Sequence, residues 1–412
     1  HEDIILNAID DYDLTIREKA LEIIDPLVSE SNIVSIVKKL LLQLIPLSED
    51  DEFDEGEMDQ ATYFQRQQMR QQEVFVPESY KYQVITKVLE ICSMNNYRNI
   101  PNFHWYINVL KDIIKLNKEN KVGNVDRLIS EQFLDMSIRV PSIRFLLVST
   151  CIELVTASNE NEQEYYSIKH GLRNYIWIIG EYYNDYIDQK DDDYEDDNED
   201  SEFIEASEII KLVSEQSIIK KLSTNINDNT TPVYIQSMAK LFNQFCQSFG
   251  EEVSILQLES IIESCKTLIS WLEGFENSVN FEVQERACSF LEILKLALDS
   301  LESESAELSS NSLETSTRIP NFINTAYNLL FTGFKIKPVS HNMQLKIPLP
   351  EDVDLKTEIN KDAMEAFTDL FNQNQLQYEM EANEEEEEEF SDSDDEVIGA
   401  YHQSDSLIEL SE

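Results

Sequence analysis

An all-α fold of stacked antiparallel helix pairs is what this 412-residue sequence predicts, and three observations predict it. Eight glycines and ten prolines are too few to turn an all-β chain every ten residues or so. Leu, Ile, Glu and Lys recur at helical spacing along most of the chain. Third, a short frame returns four times: an aliphatic residue, a long polar residue, two spacers, then a small or apolar residue. Its copies are Ile16-Arg17-Glu18-Lys19-Ala20, Ile143-Arg144-Phe145-Leu146-Leu147, Ile235-Gln236-Ser237-Met238-Ala239 and Val283-Gln284-Glu285-Arg286-Ala287. A turn-forming or extended residue precedes each one: Asp13, Pro141, Pro232 and Asn280.

A helix begun at those points places the aliphatic residue and the residue four positions on along one face. Ile16, Ala20, Val283 and Ala287 are therefore expected to pack one helix against the next. Each long polar residue is expected to reach across to the next repeat. The last three copies start at 143, 235 and 283, and 235−143=92 while 283−235=48. Those intervals approximate two and one units of the roughly 40–47 residues typical of HEAT-type helix pairs. The expected architecture is a HEAT-like α-solenoid without β-sheet, which can run this long as one continuous unit.

Taken in order, helices are expected at Glu2 to Ile9, Leu14 to Val28 and Ile33 to Ile45, with Pro46 closing that block. Residues 47–76 are acidic and then glutamine-rich, so they have no apolar face to bury and read as a surface insert. Helical spacing resumes at Tyr80 to Met94, Phe103 to Leu116, Val125 to Ile138, Ile143 to Thr156 and Tyr165 to Tyr186. Within the last of these, Gly180 costs about 1 kcal/mol relative to alanine, so it is expected to mark a close helix crossing. Trp177 fills space one turn earlier. A second acidic insert covers 187–202, without the glycine and terminal glutamate of a calcium-binding loop. Four further helices follow: Phe203 to Leu222, Val233 to Phe249, Ile255 to Trp271 and Glu282 to Leu298. Ser300 to Thr317 is weakly apolar, and a last helix from Phe322 to Phe331 ends at Gly333. The domain expectation is a trunk over 1–333, an extended linker over 334–378 and a disordered acidic tail over 379–412.

A formal charge of −49 makes nucleic acid a poor partner, because phosphate binding needs clustered Lys and Arg. Cys92, Cys151, Cys246, Cys265 and Cys288 form no close pair and sit in apolar helical runs, as core thiols of a reducing compartment do. No apolar run is expected to reach the ~20 residues of a membrane span. The chain opens inside helical sequence, which suggests a segment whose N-terminal neighbour lies upstream. The five histidines lack metal-ligand spacing, and there is no phosphate loop, nucleophile elbow or Cys-x-x-Cys pair. His104 beside Trp105 reads as a packed or interface residue. No enzyme activity, cofactor or metal is expected, and the chain reads as a scaffold that acts by binding.

The blocks Leu14–Leu21, Ile36-Val37-Lys38-Lys39-Leu40 and Asn102-Phe103-His104-Trp105-Tyr106-Ile107 resemble the large-subunit adaptin family. Leu134 to Val140, Trp177-Ile178-Ile179-Gly180-Glu181-Tyr182 and Val283–Ala287 extend that resemblance. Ile16–Ala20 and the Pro-rich Lys346-Ile347-Pro348-Leu349-Pro350-Glu351 look delta-type, as in adaptor protein complex 3. The resemblance implies a heterotetrameric coat adaptor that sorts cargo from Golgi or endosomes toward the lysosome or vacuole. Implied partners are a beta-type large subunit and medium and small subunits, with cytoplasmic, peripheral placement on Golgi or endosomal membranes and coated vesicles. The competing reading is a karyopherin-type transport receptor or another HEAT-repeat regulatory scaffold. In the tail, Ser391 and Ser393 precede acidic residues, as acid-directed kinases require, and Leu407-Ile408-Glu409-Leu410 resembles a peptide for clathrin or another propeller-bearing coat or tether.

Overall fold

The structure, a computed structural model, describes residues 2–44, 76–117, 122–192, 203–215, 219–250, 252–310 and 316–333 apart from single positions, with isolated residues from 336 to 368. The chain divides into two units, His1–Pro338 and Val339–Glu412, and the elements below belong to the first.

Local chemistry sets where the helices start. α1 spans Glu2–Ala8 and α2 Leu14–Ile23. Asp13 caps α2 by accepting from the Thr15 amide (2.9 Å) and hydroxyl (2.7 Å), meeting an N–H that a helix start leaves unpaired. Pro26 then forces a 3-10 turn, Asp25–Leu27, where the sequence predicts unbroken helix to Val28. α3 spans Ile33–Leu42. α4 covers Glu78–Tyr97, but its helical geometry stops before Met94, and Asn95, Asn96 and Tyr97 carry φ of 53°, 57° and 64°. A buried tyrosine in the left-handed region needs an anchor. Tyr97 has one in its hydroxyl, which donates to Asp135 (2.8 Å).

α5 (Phe103–Leu116), α6 (Val125–Arg139), α7 (Arg144–Glu160), α8 (Glu162–Ile168) and α9 (Leu172–Asp192) follow. The single predicted helix over 165–186 is two, parted at Gly171, where a Cβ would lie 2.9 Å from Ser130 Cβ and 3.1 Å from Asp126 O. α9 also runs six residues into the second predicted insert, because each added residue closes one more backbone bond whatever its charge. α10 (Ala206–Ser214), α11 (Thr231–Ser248), α12 (Ile255–Glu273) and α13 (Phe281–Ser310) complete the long helices. α13 overruns its predicted end because Leu301 and Leu308 are buried, giving its serine-rich half an apolar stripe.

Pairs α1/α2, α3/α4, α5/α6, α7–α8/α9, α10/α11 and α12/α13 form a two-layered solenoid: α2, α4, α6, α9, α11 and α13 succeed one another along one layer. α4, α6 and α9 begin at 78, 125 and 172, which is 47 residues each time. Longer steps occur from α2 to α4 and from α9 to α11, where the acidic segments lie. The buried side chains form one core along these helices.

Two expectations about the trunk need correction. β1 (Glu252–Ser254) and β2 (Ser316–Arg318) pair antiparallel, with Val253 opposite Thr317, so the trunk is not free of sheet. Three-residue strands leave no alternation long enough to register in a sequence. In addition, the stretch 141–158 at α7 is apolar and long enough to cross a membrane by composition. Here it is a packed helix whose Leu147, Val148, Cys151, Ile152 and Val155 are buried.

Candidate functional site

Among the described residues no cluster of His, Cys, Asp and Glu could hold a metal. What the chain builds instead are joints between helices and one groove. In three of the four frames the long polar residue reaches backward, to a main-chain carbonyl in the last turn of the preceding helix (Ser137) or in the turn just after it (Asp11, Glu276). Arg17 Nε donates to Asp11 O, Arg144 Nε to Ser137 O (2.8 Å) and Gln284 Nε2 to Glu276 O (2.7 Å). The predicted reach to the next repeat is corrected for these three. Terminal carbonyls lack intrahelical partners, and a side chain at the following helix start is the nearest donor. The fourth, Gln236, accepts from Arg286 Nη1 (3.1 Å), so here the link does join consecutive units.

The packing residues divide. Ala20, Val283 and Ala287 are buried, whereas Ile16 is 42% exposed and Arg17 beside it is buried. The first frame is rotated relative to the others: Arg17 takes the buried face and Ile16 turns outward. The frame at Ile143 lies on α7, in the opposite layer from α11 and α13, so its 92-residue interval does not measure two repeats. Trp177 is partly buried, edge-on to Tyr182 with ring centroids 5.9 Å apart. His104 is exposed, not packed: its amide donates to the cap residue Asn102 (2.8 Å).

At Gly180 α9 and α11 touch. A Cβ added there would lie 2.7 Å from Ser237 Cβ and 2.8 Å from Ser237 Cα, closer than side-chain atoms pack. Two turns along α11, Gln244 Nε2 donates to Gly180 O (2.7 Å) and its Oε1 accepts from the Asn184 amide (3.1 Å). Gly180 and Asn184 are the i and i+4 groups that an unbroken helix bonds directly. The glutamine amide spans them, and Tyr182 between them leaves helical geometry at φ −120°, ψ 18°. Lys240 pairs with Glu181, and the Arg144 guanidinium sits 4.1 Å from the centre of the Tyr182 ring. This is a clasp between consecutive units, made by side chains about 60 residues apart in sequence. The far end of the trunk is sutured likewise. A π-helical turn, Phe322–Tyr327, leads into α14 (Asn328–Thr332), and the Tyr327 hydroxyl donates to Ala239 O (2.9 Å).

Four cysteines are buried and Cys288 is partly so, and none forms a disulfide. Burial pushes the Cys92 and Cys265 thiols up to about 12, and Cys151 and Cys246 well above their ordinary value. Thiols held neutral in this way are poor nucleophiles, which suits a packing role.

A groove of about 840 Å³ opens beside α12, between the end of α10 and the last turns of α13. Ile262, Trp271 and Ala306 give it apolar surface, while Glu215, Glu259, Glu263, Lys266 and Glu302 supply charge. Nothing in the sequence marked this groove, because its walls come from three helices whose lining residues lie 31 or more positions apart (302−271=31, 259−215=44). Ser391, Ser393, Leu407, Ile408 and Leu410, with most of the two acidic inserts, lie outside the described residues.

Comparison with known proteins agrees with the architecture. The family described as the adaptin N terminal region matches residues 1–298. A curated relative, AP-3 complex subunit delta of Saccharomyces cerevisiae, is 27% identical over 368 residues, covering 89% of this chain and 34% of its own. AP-3 complex subunit delta-1 of Bos taurus is 25% identical over 363 residues, covering 88% and 24%. The chain thus spans about a third or less of these relatives' length. A homology model of the full-length AP-3 complex in an intermediate open conformation matches with a TM-score of 0.54 at 25% identity, over 80% of this chain and 49% of that one.

Proposed function

The chain belongs to the adaptin N-terminal family, and from that premise we propose that it is part of a large-subunit scaffold in a heterotetrameric vesicle coat adaptor. The adaptor sorts membrane cargo from Golgi or endosomes to the lysosome or vacuole. The observation that carries this reading is the near-complete collinearity with delta subunits of AP-3 complexes, over 89% and 88% of the chain in the two relatives. The solenoid supports a binding role with no chemistry of its own, since long stacked helix pairs offer extended surface to partner chains. Partners on this reading are a beta-type large subunit, met chiefly by this part of the trunk, and the medium and small subunits. The complex is cytoplasmic and peripheral on Golgi or endosomal membranes. The family match disfavours a karyopherin-type receptor.

Residues 1–333 serve as trunk, 334–378 as the start of a hinge and 379–412 as its acidic continuation. Ser391 and Ser393 are the phosphorylation sites of that tail, each followed by acidic residues, and phosphate adds about −1.5 to −2 charges apiece. Leu407, Ile408 and Leu410 are its coat-binding peptide, for clathrin or another propeller-bearing coat or tether. Removing the gene and following a lysosomal or vacuolar membrane protein tests the reading. Missorting of that protein to the cell surface supports it, and normal delivery with altered nuclear import would favour the transport receptor.

A further inference from the structure

We propose that the groove beside α12 docks a linear segment of a partner polypeptide carrying the pattern Lys/Arg-x-Lys/Arg. Charge is the first argument. Of the five charged residues lining the groove, Lys266 is already paired with Glu302 (2.7 Å). Glu215, Glu259 and Glu263 have no cation within ion-pair distance among the described residues. A concave surface edged by three unmatched carboxylates attracts cations and repels anionic lipid, nucleic acid and the chain's own glutamate-rich tail.

Spacing is the second argument. Glu259 and Glu263 stand one turn apart on the same face of α12, and four residues of helix advance about 6 Å. Alternate side chains of an extended peptide point the same way and repeat about every 6.6–6.8 Å. Two cations separated by one residue therefore meet both carboxylates, relieving the like-charge repulsion of an i,i+4 pair. From Glu259 to Trp271 the wall of α12 is about 18 Å long, room for five or six extended residues.

The third argument is a donor without an acceptor. Trp271 lines the groove, is 3% exposed, and its indole Nε1 has no hydrogen-bond partner among the described residues. A buried N–H left unmatched is costly. A peptide lying along α12 brings main-chain carbonyls that can accept from it once the indole turns toward the groove, which a free metal or polyamine does not. Lysine and arginine stems meanwhile cover Ile262 and Ala306, the apolar part of the lining.

The test uses the full-length chain in its assembled complex and a fluorescein-labelled hexapeptide, Gly-Lys-Leu-Lys-Leu-Gly, followed by anisotropy at about 0.15 M salt. Expected are saturable binding, a loss of about fivefold or more with the double variant Glu259→Gln/Glu263→Gln, and a loss with Trp271→Phe. Because the whole chain is acidic, Glu30→Gln/Glu285→Gln, the same charge change at exposed positions outside the groove lining, is the control and should leave affinity unaltered. Equal weakening by the two double variants, or no saturable binding, would overturn the proposal. Both outcomes are independent of whether the complex sorts cargo.

Discussion

Replacing Gly180 with alanine tests the joint between α9 and α11. The new methyl would sit 2.7 Å from Ser237 Cβ, 2.8 Å from its Cα and 3.0 Å from its Oγ. The hydroxyl can rotate away, but the Cα belongs to the α11 backbone and moves only if the helices part. Overpacking of this kind costs typically 1–3 kcal/mol, and contact with main chain argues for the upper end. Alanine returns about 1 kcal/mol through helix propensity. The net expectation is a destabilisation of about 2 kcal/mol. In a domain this large that is a fall in Tm of about 4–8 °C at most, by the scaling for 150–250 residues. Differential scanning calorimetry of the single variant, Ser237→Gly and the double variant provides the assay. Ser237→Gly removes the Cβ and Oγ, so the double variant should recover part of the loss. A Gly180→Ala protein more stable than the parent by about 1 kcal/mol would show that the helices separate freely, and the account of a close crossing would be wrong.

Other expectations follow from the same structure. Gln244→Leu should cost about 1–3 kcal/mol by removing both bonds of the clasp, and hydrogen exchange at the Asn184 amide should quicken. Unchanged exchange would mean the ladder of α9 closes without it. Ala20→Leu and Ala287→Leu should each lower stability by about 1–3 kcal/mol in thermal unfolding, whereas Ile16→Ser should be nearly neutral because Ile16 is exposed. At pH 8 an alkylating reagent should modify Cys288 well before Cys92 or Cys265 in the folded chain, as mass mapping would show. The two buried thiols titrate near 12 when folded and near about 8.5 when unfolded, so their contribution is intact below about 8.5 and is lost as pH rises toward 12. Chemical denaturation at pH 8 and pH 10.5 should show that loss.

Much of the trunk was legible because a helix announces itself by repetition: α5, α6 and α12 begin where apolar spacing and caps place them. Phase was harder. The frame at Ile143 has the right residue types but lies in the other layer, since a five-residue pattern records a helix start and not which layer it joins. Arg17 and Ile16 exchanged roles for a related reason. A guanidinium that finds a carbonyl can be buried, and a neighbour then turns outward. Gly180 could be singled out from its place in a helix, yet Gln244 could not, because its two partners lie 64 and 60 residues away. The groove escaped notice on the same ground, and β1 and β2 are too short to leave a pattern.

On the proposed function this chain works as one subunit of a four-chain adaptor. Native mass spectrometry of the full-length protein, tagged at its own locus and purified at low salt, tests it most directly. Expected is a single assembly holding one copy each of this chain, a second large subunit, a medium subunit and a small subunit. Recovery as a monomer, or with a small GTPase as its one stoichiometric partner, would contradict it.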